Sequence, residues 1–390
     1  MNYTDNQLRL KNIFNLSDRE ISIPQSPVRI INCLFRSVIR PTNPVAFRKE
    51  NESSTLPDIL MEYFDGNSDF TYPIFMPVGS ERVNGAIILL HGLNERSWTK
   101  YLSWAHYLSE HTGKAVILFP MAFHINRSPA FWSDPRYMLP IANERATSFP
   151  GQGQVTPFNA ALSSRLDRHP EWFCSSGLQS CYDILSLTAS IRSGEHPLFR
   201  ERTSVDFFAY SVGAFLLEVM LLADPGEVLS ESRCFLLMGG SSFQQMKGIS
   251  RYIMDQRAFD QLEETYIRQD PRSVRNKIHL PRLDSFNSLW SSFLSMLRPD
   301  RQQELRDRSF RKMAGRICAI GLEDDQVIPG RSIQSTLRGA DNRNPISVSI
   351  LDFPYPCVHE NPFPVNQPAI RAEVDLAFHH IFKNAADFLS

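Results

Sequence analysis

The chain has 390 residues, 42% of them hydrophobic and 21% charged, which is normal for a globular protein with a sizeable core. Its formal net charge is −1 and acids interrupt its Arg clusters, so the sequence predicts neither a nucleic-acid partner nor attachment to an anionic membrane. No apolar run reaches the ~18–20 residues that span a bilayer, and we expect no stable membrane insertion.

The first part of the chain has a mixed pattern, and regular alternation begins at residue 70. We expect the N-terminal extension, residues 1–65, to lead into a sheet and to pack on the core rather than fold alone. Residues 70–77 predict an edge strand because two prolines limit its pairing. Residues 86–90 form a continuous apolar run that is typical of a strand buried on both faces.

Strands and helices alternate over most of the remaining chain. Residues 124–175 are rich in Pro, Gly, Ser and Asn and predict loops over a site. Residues 243–312 are strongly charged and predict a helical insertion between two strands. The other predicted strands are 28–35, 115–119, 204–209, 234–238, 316–320 and 346–353. The other predicted helices are 97–111, 176–193, 212–223 and 369–389.

This alternation, with several strands wholly apolar, predicts the α/β class. We expect a mostly parallel central sheet with helices on both faces. Residues 66–242 and 313–390 would form the core, and 243–312 a helical cap over it.

A candidate nucleophile lies where a buried strand turns into a helix, in the pentapeptide Ala-Tyr-Ser-Val-Gly at 209–213. The small residues Ala209 and Gly213 let the backbone turn tightly and lift Ser211 above the sheet. The helix N-terminus is then aimed at the site, where a hydroxyl needs a base and donors for developing charge. A serine that merely starts a helix is the alternative for this pentapeptide.

Candidate donors for that charge follow an earlier buried strand. A small residue at this point lets backbone N–H groups converge where an oxyanion would form, and such donors are worth about 3 kcal/mol each. We assign the oxyanion hole to the N–H groups of Leu93 and Val212. His91, Gly92 and Gly213 are the predicted supporting turns. An ordinary turn at a strand end is the alternative for His91 and Gly92.

An acid and a histidine follow later strand ends. Asp324 lies in an acidic loop after the strand at 316–320, with Glu323 and Asp325 as rivals on the same loop. Of the ten histidines, His359 alone follows a strand downstream of that loop. The order Ser, Asp, His predicts a triad in which His359 is the base and Asp324 orients it. An acidic surface turn and a turn histidine without a role are the alternatives.

At these residues the sequence resembles the α/β-hydrolase superfamily. The stretch Ile-Leu-Leu-His-Gly-Leu-Asn-Glu-Arg-Ser at 88–97 and the acid loop at 321–329 are similar to its monoacylglycerol-lipase and proline-iminopeptidase-like branch. Ala209 stands at the family's first elbow glycine, and Pro120-Met-Ala-Phe-His replaces its usual Pro-Asp-x-x-Gly-x-Gly run. The resemblance covers residues 70–390 and implies an α/β-hydrolase fold with a serine nucleophile.

The pattern favours hydrolysis of a carboxylic ester through an acyl-enzyme. The expected partner is a small-molecule ester or acyl substrate, no cofactor is required, and no spacing of His, Cys and acids predicts a metal site. Packing between helices is the alternative for every candidate pocket residue. These candidates are apolar side chains of the two insertions: Phe131, Trp132, Phe286, Leu289, Trp290 and Phe293.

Two other functions stay open. The same residues could cleave a peptide amide in an iminopeptidase-like reaction, with Glu263, Glu264 or Asp284 as an acidic anchor for the substrate amine. The fold could also be catalytically silent and bind a ligand or partner. The sequence carries no signal for an oligomeric state.

The cysteines and the N-terminus bear on the compartment. Six cysteines are scattered without a Cys-x-x-Cys pair, which is typical of free thiols in a reducing compartment. The first residues lack the basic and apolar segments of a secretory signal. We therefore expect a cytoplasmic protein.

Overall fold

The computed structural model describes residues 2–39, 64–151, 153–278 and 280–390. The part of the predicted N-terminal extension at 40–63 lies outside the described residues. The centre of the described part is one nine-stranded sheet. Its strands are β1 (Glu20–Ser22), β2 (Val28–Arg36), β3 (Asp69–Pro77), β4 (Val83–Leu90), β5 (Ala115–Leu118), β6 (Phe199–Tyr210), β7 (Cys234–Leu237), β8 (Ile317–Leu322) and β9 (Ser347–Leu351).

Helices of very different length connect these strands. None of those in the described residues is long and apolar enough to cross a membrane. The helices are α1 (Tyr3–Ile13), α2 (Asp65–Ser68), α3 (Leu102–Thr112), α4 (Pro135–Ser148), α5 (Ala160–Arg168), α6 (Glu171–Ser193), α7 (Val212–Ala223), α8 (Gln256–Glu263), α9 (Phe286–Leu297), α10 (Gln303–Lys312), α11 (Gly330–Arg338) and α12 (Arg371–Leu389).

The sheet has the order β1-β2-β3-β5-β4-β6-β7-β8-β9. The neighbouring strands in the series β5-β4-β6-β7-β8-β9 pair in parallel. The pairs β1–β2, β2–β3 and β3–β5 on the other side of the sheet are antiparallel. The predicted mostly parallel sheet is therefore confirmed. Because parallel strands end at the same edge, the loops that follow β4, β6, β8 and β9 meet there.

The apolar run in β4 follows from its position in the middle of the sheet. Ile88 and Leu90 belong to the core on the side of α6 and α7, and Ile87 and Leu89 to the core on the side of α3 and α12. All four side chains are fully buried. Successive strand residues point to opposite faces, so a strand covered on both faces is apolar at every position.

Two predictions about local structure are wrong. The predicted edge strand at 70–77 is interior: β3 lies between β2 and β5, and the N-terminal residues supply the edge of the sheet. Pairing with β5 covers only Ile74 and Phe75, so Pro73 interrupts no ladder on that side. The segment predicted as loops at 124–175 contains α4, α5 and the start of α6.

The two insertions contact each other. Helices α8, α9 and α10 lie between β7 and β8, and α9 packs against α7. Helix α8 packs against α5 of the earlier insertion. Between them, the buried guanidinium of Arg145 contacts Asp255 at 2.8 Å and Asp167 at 3.3 Å. Buried ion pairs of this kind cost heavily when one partner is lost, so they fix the two insertions to each other.

Candidate active site

Ser211 occupies the turn between β6 and α7 in an unusual backbone conformation. Its φ is 58° and its ψ −126°, a region that costs a residue with a side chain about 1–3 kcal/mol. The turn is held because the Ser211 N–H donates to the Leu237 carbonyl at 3.2 Å and the Ser211 carbonyl accepts from the Ala214 N–H at 3.0 Å. The first N–H groups of α7, which lack helical partners, therefore lie beside the serine hydroxyl.

Glycines let the neighbouring elements approach this turn. A Cβ on Gly213 would lie 2.7 Å from the His91 carbonyl oxygen and 2.8 Å from that of Leu90, so α7 reaches the end of β4 only with glycine there. A Cβ on Gly239 would lie 2.6 Å from the Ser211 carbonyl oxygen. Gly239 was not singled out from the sequence, although a Gly-Gly pair directly after a buried strand is a signal for close approach.

Ser211, His359 and Asp325 form a hydrogen-bonded chain. The Ser211 Oγ lies 2.7 Å from His359 Nε2, and His359 Nδ1 lies 2.8 Å from Asp325 Oδ2. Each of the three residues is at most 5% exposed. Asp325 Oδ1 accepts the N–H groups of Val327 and Ile328 at 2.9 and 3.0 Å. An ionised Asp325 keeps a proton on Nδ1, so Nε2 presents a lone pair and the serine hydroxyl donates to it.

The prediction that Asp324 orients His359 is wrong. The Asp324 side chain is exposed, and its rival Asp325 makes the contact. Glu323 is exposed as well. The loop turns directly after β8, where the Asp325 N–H donates to the Leu322 carbonyl at 3.4 Å. Consecutive side chains in a turn point in different directions, and the sequence does not specify where the turn begins.

Leu93 and Val212, the predicted oxyanion donors, both line the cavity that contains Ser211. Among the described residues, neither N–H has a hydrogen-bond acceptor. The Gly92 N–H is engaged with the Tyr101 hydroxyl at 3.1 Å. These N–H groups are placed at the helix start and the strand end, but their role as an oxyanion hole stays a prediction.

His91 supports the turn after β4 from inside the protein. Its Nδ1 lies 2.8 Å from the Gly92 carbonyl, and its Nε2 accepts the Met121 N–H at 2.9 Å. Burial, and then the neighbouring His124, hold the pKa of His91 well below its usual range. A neutral ring with the proton on Nδ1 satisfies both contacts, so His91 fastens the loop after β4 to the loop after β5.

Tyr210 contacts His359 and was not singled out from the sequence. Its hydroxyl donates to the His359 carbonyl, and its ring stacks on the imidazole with 5.6 Å between the centroids. It is buried, and desolvation raises the pKa of the phenol well above 10, so the hydroxyl stays a donor. A signal was present, because an aromatic residue with a polar tip precedes the candidate serine.

A second unpredicted group joins the loops after β4 and β9. Lys100 forms an ion pair with Glu95 and donates to the Glu360 carbonyl at 2.9 Å. Glu95 also accepts the Tyr101 hydroxyl at 2.7 Å. The loop after β4 and the loop after β9 are thereby both held by one partly buried ammonium group. The sequence lacked a signal for this, because the partners are brought together only by the sheet.

Two apolar cavities meet beside Ser211. The first, of about 40 Å³ and called here the Ser211 cavity, is lined by Ser211, residues of the later insertion and Val327 and Ile328 of the acid loop. The second, of about 60 Å³ and called the His124 cavity, is lined by α6, α7, Met121 and His124. The walls shared by both are Leu93, Phe173, Val212 and Phe215.

Of the apolar side chains predicted to line a pocket, one lines a cavity beside Ser211 and the others do not. Phe293 lines the His124 cavity. The buried side chains of Phe286, Leu289 and Trp290 belong to the helix-packing core and line neither cavity. Trp132, with Phe131 packed against it, belongs to a separate cluster in the earlier insertion. Among the described residues, no group of three or more His, Cys, Asp or Glu is placed to hold a metal ion.

The sheet and the candidate site together have the arrangement of the α/β-hydrolase fold. A serine stands on a sharp strand-to-helix turn of a mostly parallel sheet, and an acid and a histidine follow it at later strand ends. The α/β fold with a mostly parallel sheet that the resemblance implied is confirmed, whereas membership of the superfamily and of its monoacylglycerol-lipase-like branch stays a prediction. The chain belongs to a family of unknown function, DUF6051, whose model matches residues 1–390. No curated protein matches the sequence.

Several solved structures have a distant likeness to this chain. A bacterial heroin esterase is 13% identical, with a TM-score of 0.47 over 100% of this chain and 91% of its own. An esterase from Pyrobaculum calidifontis is 12% identical, with a TM-score of 0.46 over 98% and 91%. A Bacteroides ovatus protein classed as a dipeptidyl aminopeptidase IV is 10% identical, with a TM-score of 0.43 over 82% of this chain and 34% of its own. The present chain thus spans about a third of that last protein.

Proposed function

We propose that this chain is a serine hydrolase that cleaves carboxylic esters through a covalent acyl-enzyme. The observation that carries the proposal is the hydrogen-bonded chain from Ser211 through His359 to Asp325, with contacts of 2.7 and 2.8 Å. A buried base at hydrogen-bond distance from a hydroxyl, oriented by a third group, is the arrangement that activates a serine.

The proposed reaction has two half-steps. In acylation, Ser211 Oγ attacks the ester carbonyl carbon while His359 Nε2 takes its proton, and the N–H groups of Leu93 and Val212 bind the oxyanion. His359 then gives that proton to the departing alcohol. In deacylation, His359 takes a proton from water, the hydroxide attacks the acyl carbon, and Ser211 leaves with the proton returned to it. Asp325 stays ionised throughout.

The described residues that line the two cavities include no Asp or Glu, and this favours an ester substrate over a peptide amide. An iminopeptidase-like reaction needs an acid to hold the substrate amine, but Glu263, Glu264 and Asp284 line neither cavity. Glu263 and Glu264 instead pair with Arg268 at 3.2 and 3.7 Å, and Asp284 is exposed. An apolar environment without an acid suits an uncharged ester group.

Labelling with a fluorophosphonate probe tests the nucleophile. Wild type should label, and Ser211→Ala should not. Ser204→Ala is the matched control, because Ser204 lies on the same strand with an exposed side chain and should leave labelling unchanged. Equal labelling of wild type and Ser211→Ala would refute the assignment, and absence of labelling and turnover in wild type would favour a silent binding protein.

A substrate panel tests the bond. We expect kcat/KM for p-nitrophenyl esters to exceed kcat/KM for aminoacyl p-nitroanilides. The reverse order, abolished by Ser211→Ala, would reject ester hydrolysis in favour of the amide reaction.

A further inference from the structure

Among the described residues that line the His124 cavity, most of which are apolar, His124 is the one imidazole. It is 7% exposed, and its Nδ1 lies 2.8 Å from the Ala122 carbonyl. Its Nε2 is buried and has no hydrogen-bond partner among the described residues. Since Nδ1 must carry a proton to donate to a carbonyl, a neutral ring presents a lone pair at Nε2. Burial lowers the pKa of His124 to about 4, which keeps the ring neutral near pH 7.

The segment that carries His124 is held rigidly. The Ala122 N–H donates to Ser180 Oγ at 2.9 Å, and the Arg127 N–H donates to the His124 carbonyl at 2.8 Å. Arg127 is itself fully buried and paired with Asp183 at 2.7 Å. The imidazole is therefore fixed in place, and it cannot turn to satisfy Nε2 without breaking its bond to Ala122. A buried acceptor left unpaired is costly, so such groups call for an explanation.

The chemistry of the leaving group indicates which part of an ester the His124 cavity would hold. His359 must reach the departing oxygen in order to protonate it. The Ser211 cavity is lined by Ser211 itself and by Val327 and Ile328, whose N–H groups hold Asp325, and we assign it to the leaving group. The His124 cavity contains no residue from the acid loop or the histidine loop. Leu93 and Val212 line it as well, so it adjoins the proposed oxyanion donors, and we assign the acyl group to it.

We propose that the His124 cavity holds the acyl group of the substrate and that His124 Nε2 selects apolar acyl groups bearing a hydroxyl. A hydroxyl supplies the single donor that Nε2 lacks. An acyl group with an amide N–H would also bring an amide carbonyl, which needs a hydrogen-bond donor in the cavity. The serine hydroxyls of the wall do not supply one, because Ser180 Oγ donates to the Ser176 carbonyl and Ser176 Oγ donates to the Phe173 carbonyl. This inference rests on the proposed function.

Ethyl hexanoate and its 2-, 3- and 6-hydroxy analogues test the inference, with kcat/KM measured by pH-stat. In wild type we expect at least one hydroxy ester to be preferred by about tenfold over ethyl hexanoate, because the analogue without a hydroxyl leaves Nε2 unpaired. The ratio within each variant is independent of how much protein is folded. Two variants separate the two ring nitrogens.

His124→Asn keeps a donor near the Nδ1 position for Ala122 and removes the group at Nε2, so the ratio should fall to about one. His124→Gln keeps a polar acceptor near Nε2 and should retain most of the preference. The inference is overturned if wild type prefers no hydroxy ester, or if His124→Asn keeps the wild-type ratio. In either case, Ser211-dependent cleavage of ethyl hexanoate would leave the proposed function standing, whereas absence of ester cleavage and probe labelling would remove both.

Discussion

His359 Nδ1 lies 2.8 Å from Asp325 Oδ2, while the other oxygen of the same carboxylate accepts the N–H groups of Val327 and Ile328. The acid loop therefore holds the carboxylate in the position from which its other oxygen contacts the imidazole. Tyr210 holds the opposite side of the ring by stacking on it and bonding to the His359 carbonyl. The imidazole is thus held by contacts with two residues, which the proposed role of His359 as the base requires.

The two neighbouring aspartates should differ sharply on substitution. Asp325→Asn should lower kcat for p-nitrophenyl butyrate by about 10⁴-fold, since an amide stabilises the wrong histidine tautomer. Asp324→Asn, whose side chain is exposed, is the matched control and should change kcat by less than about twofold. Steady-state kinetics on both variants decide this, and a larger loss in Asp324→Asn would contradict the geometry.

Substitution of Gly213 should damage the nucleophile turn. A Cβ there would lie 2.7 and 2.8 Å from two backbone carbonyl oxygens, neither of which can move as a side chain can. Gly213→Ala should therefore lower the free energy of unfolding by about 1–3 kcal/mol and reduce fluorophosphonate labelling. Gly315→Ala is the control, because a Cβ at Gly315 meets nothing within 4 Å. Denaturant unfolding and labelling rates check both, and equal stability of the two variants would contradict the expectation.

A larger side chain on α6 should reduce the volume of the His124 cavity. Gly177 lines this cavity, and a Cβ there would meet only Leu216 Cδ1, at an ordinary 3.8 Å. Gly177→Leu should therefore fill the cavity without moving the backbone. We expect the ratio of kcat/KM for p-nitrophenyl hexanoate to kcat/KM for p-nitrophenyl acetate to be about tenfold lower in this variant than in wild type.

Gly177→Ala is the matched control for that measurement. It should keep most of the wild-type chain-length preference and stabilise the helix by about 0.5–1 kcal/mol. If Gly177→Leu retained the wild-type ratio of hexanoate to acetate, the acyl group would not lie in this cavity.

Glu218 should make stability depend on pH. It lies on α7, fully buried, and neither carboxylate oxygen has a hydrogen-bond partner among the described residues. Burial raises the pKa of this carboxyl well above its usual range, and Arg306 opposes the shift only in part. In the unfolded chain the carboxyl ionises near pH ~4.3, so its contribution to stability is present below that pH and is lost as pH rises toward the folded pKa.

Glu218→Gln removes that titration and keeps the shape. The Tm of Glu218→Gln relative to wild type should therefore rise between about pH 5 and 8, and the difference should be smallest at the acidic end. Thermal unfolding of both proteins across this range checks the sign. A constant difference in Tm would mean that Glu218 does not titrate as inferred.

Much of the fold was predictable because its central elements are locally consistent. The run at 86–90 is apolar at every position since β4 is covered on both faces, and α7 begins and ends at the predicted residues, Val212 and Ala223. The antiparallel side of the sheet was not predictable in this way. The two prolines at 70–77 predicted that this strand lies at the edge of the sheet. It lies in the interior because β2 pairs with it, and the sequence pattern at 70–77 carries no information about a partner strand that is distant in sequence.

By itself, the sequence determined the α/β class, the strand-to-helix turn at Ser211 and the histidine that reaches it, because strand ends and turn residues are encoded locally. Only the tertiary structure decided between Asp324 and Asp325, placed Tyr210 against His359, and put Phe293 rather than Trp290 at a cavity. Those outcomes depend on the direction of a side chain within a turn and on packing between distant elements. Both are set when the chain folds, and neither leaves a periodic signal in the residues.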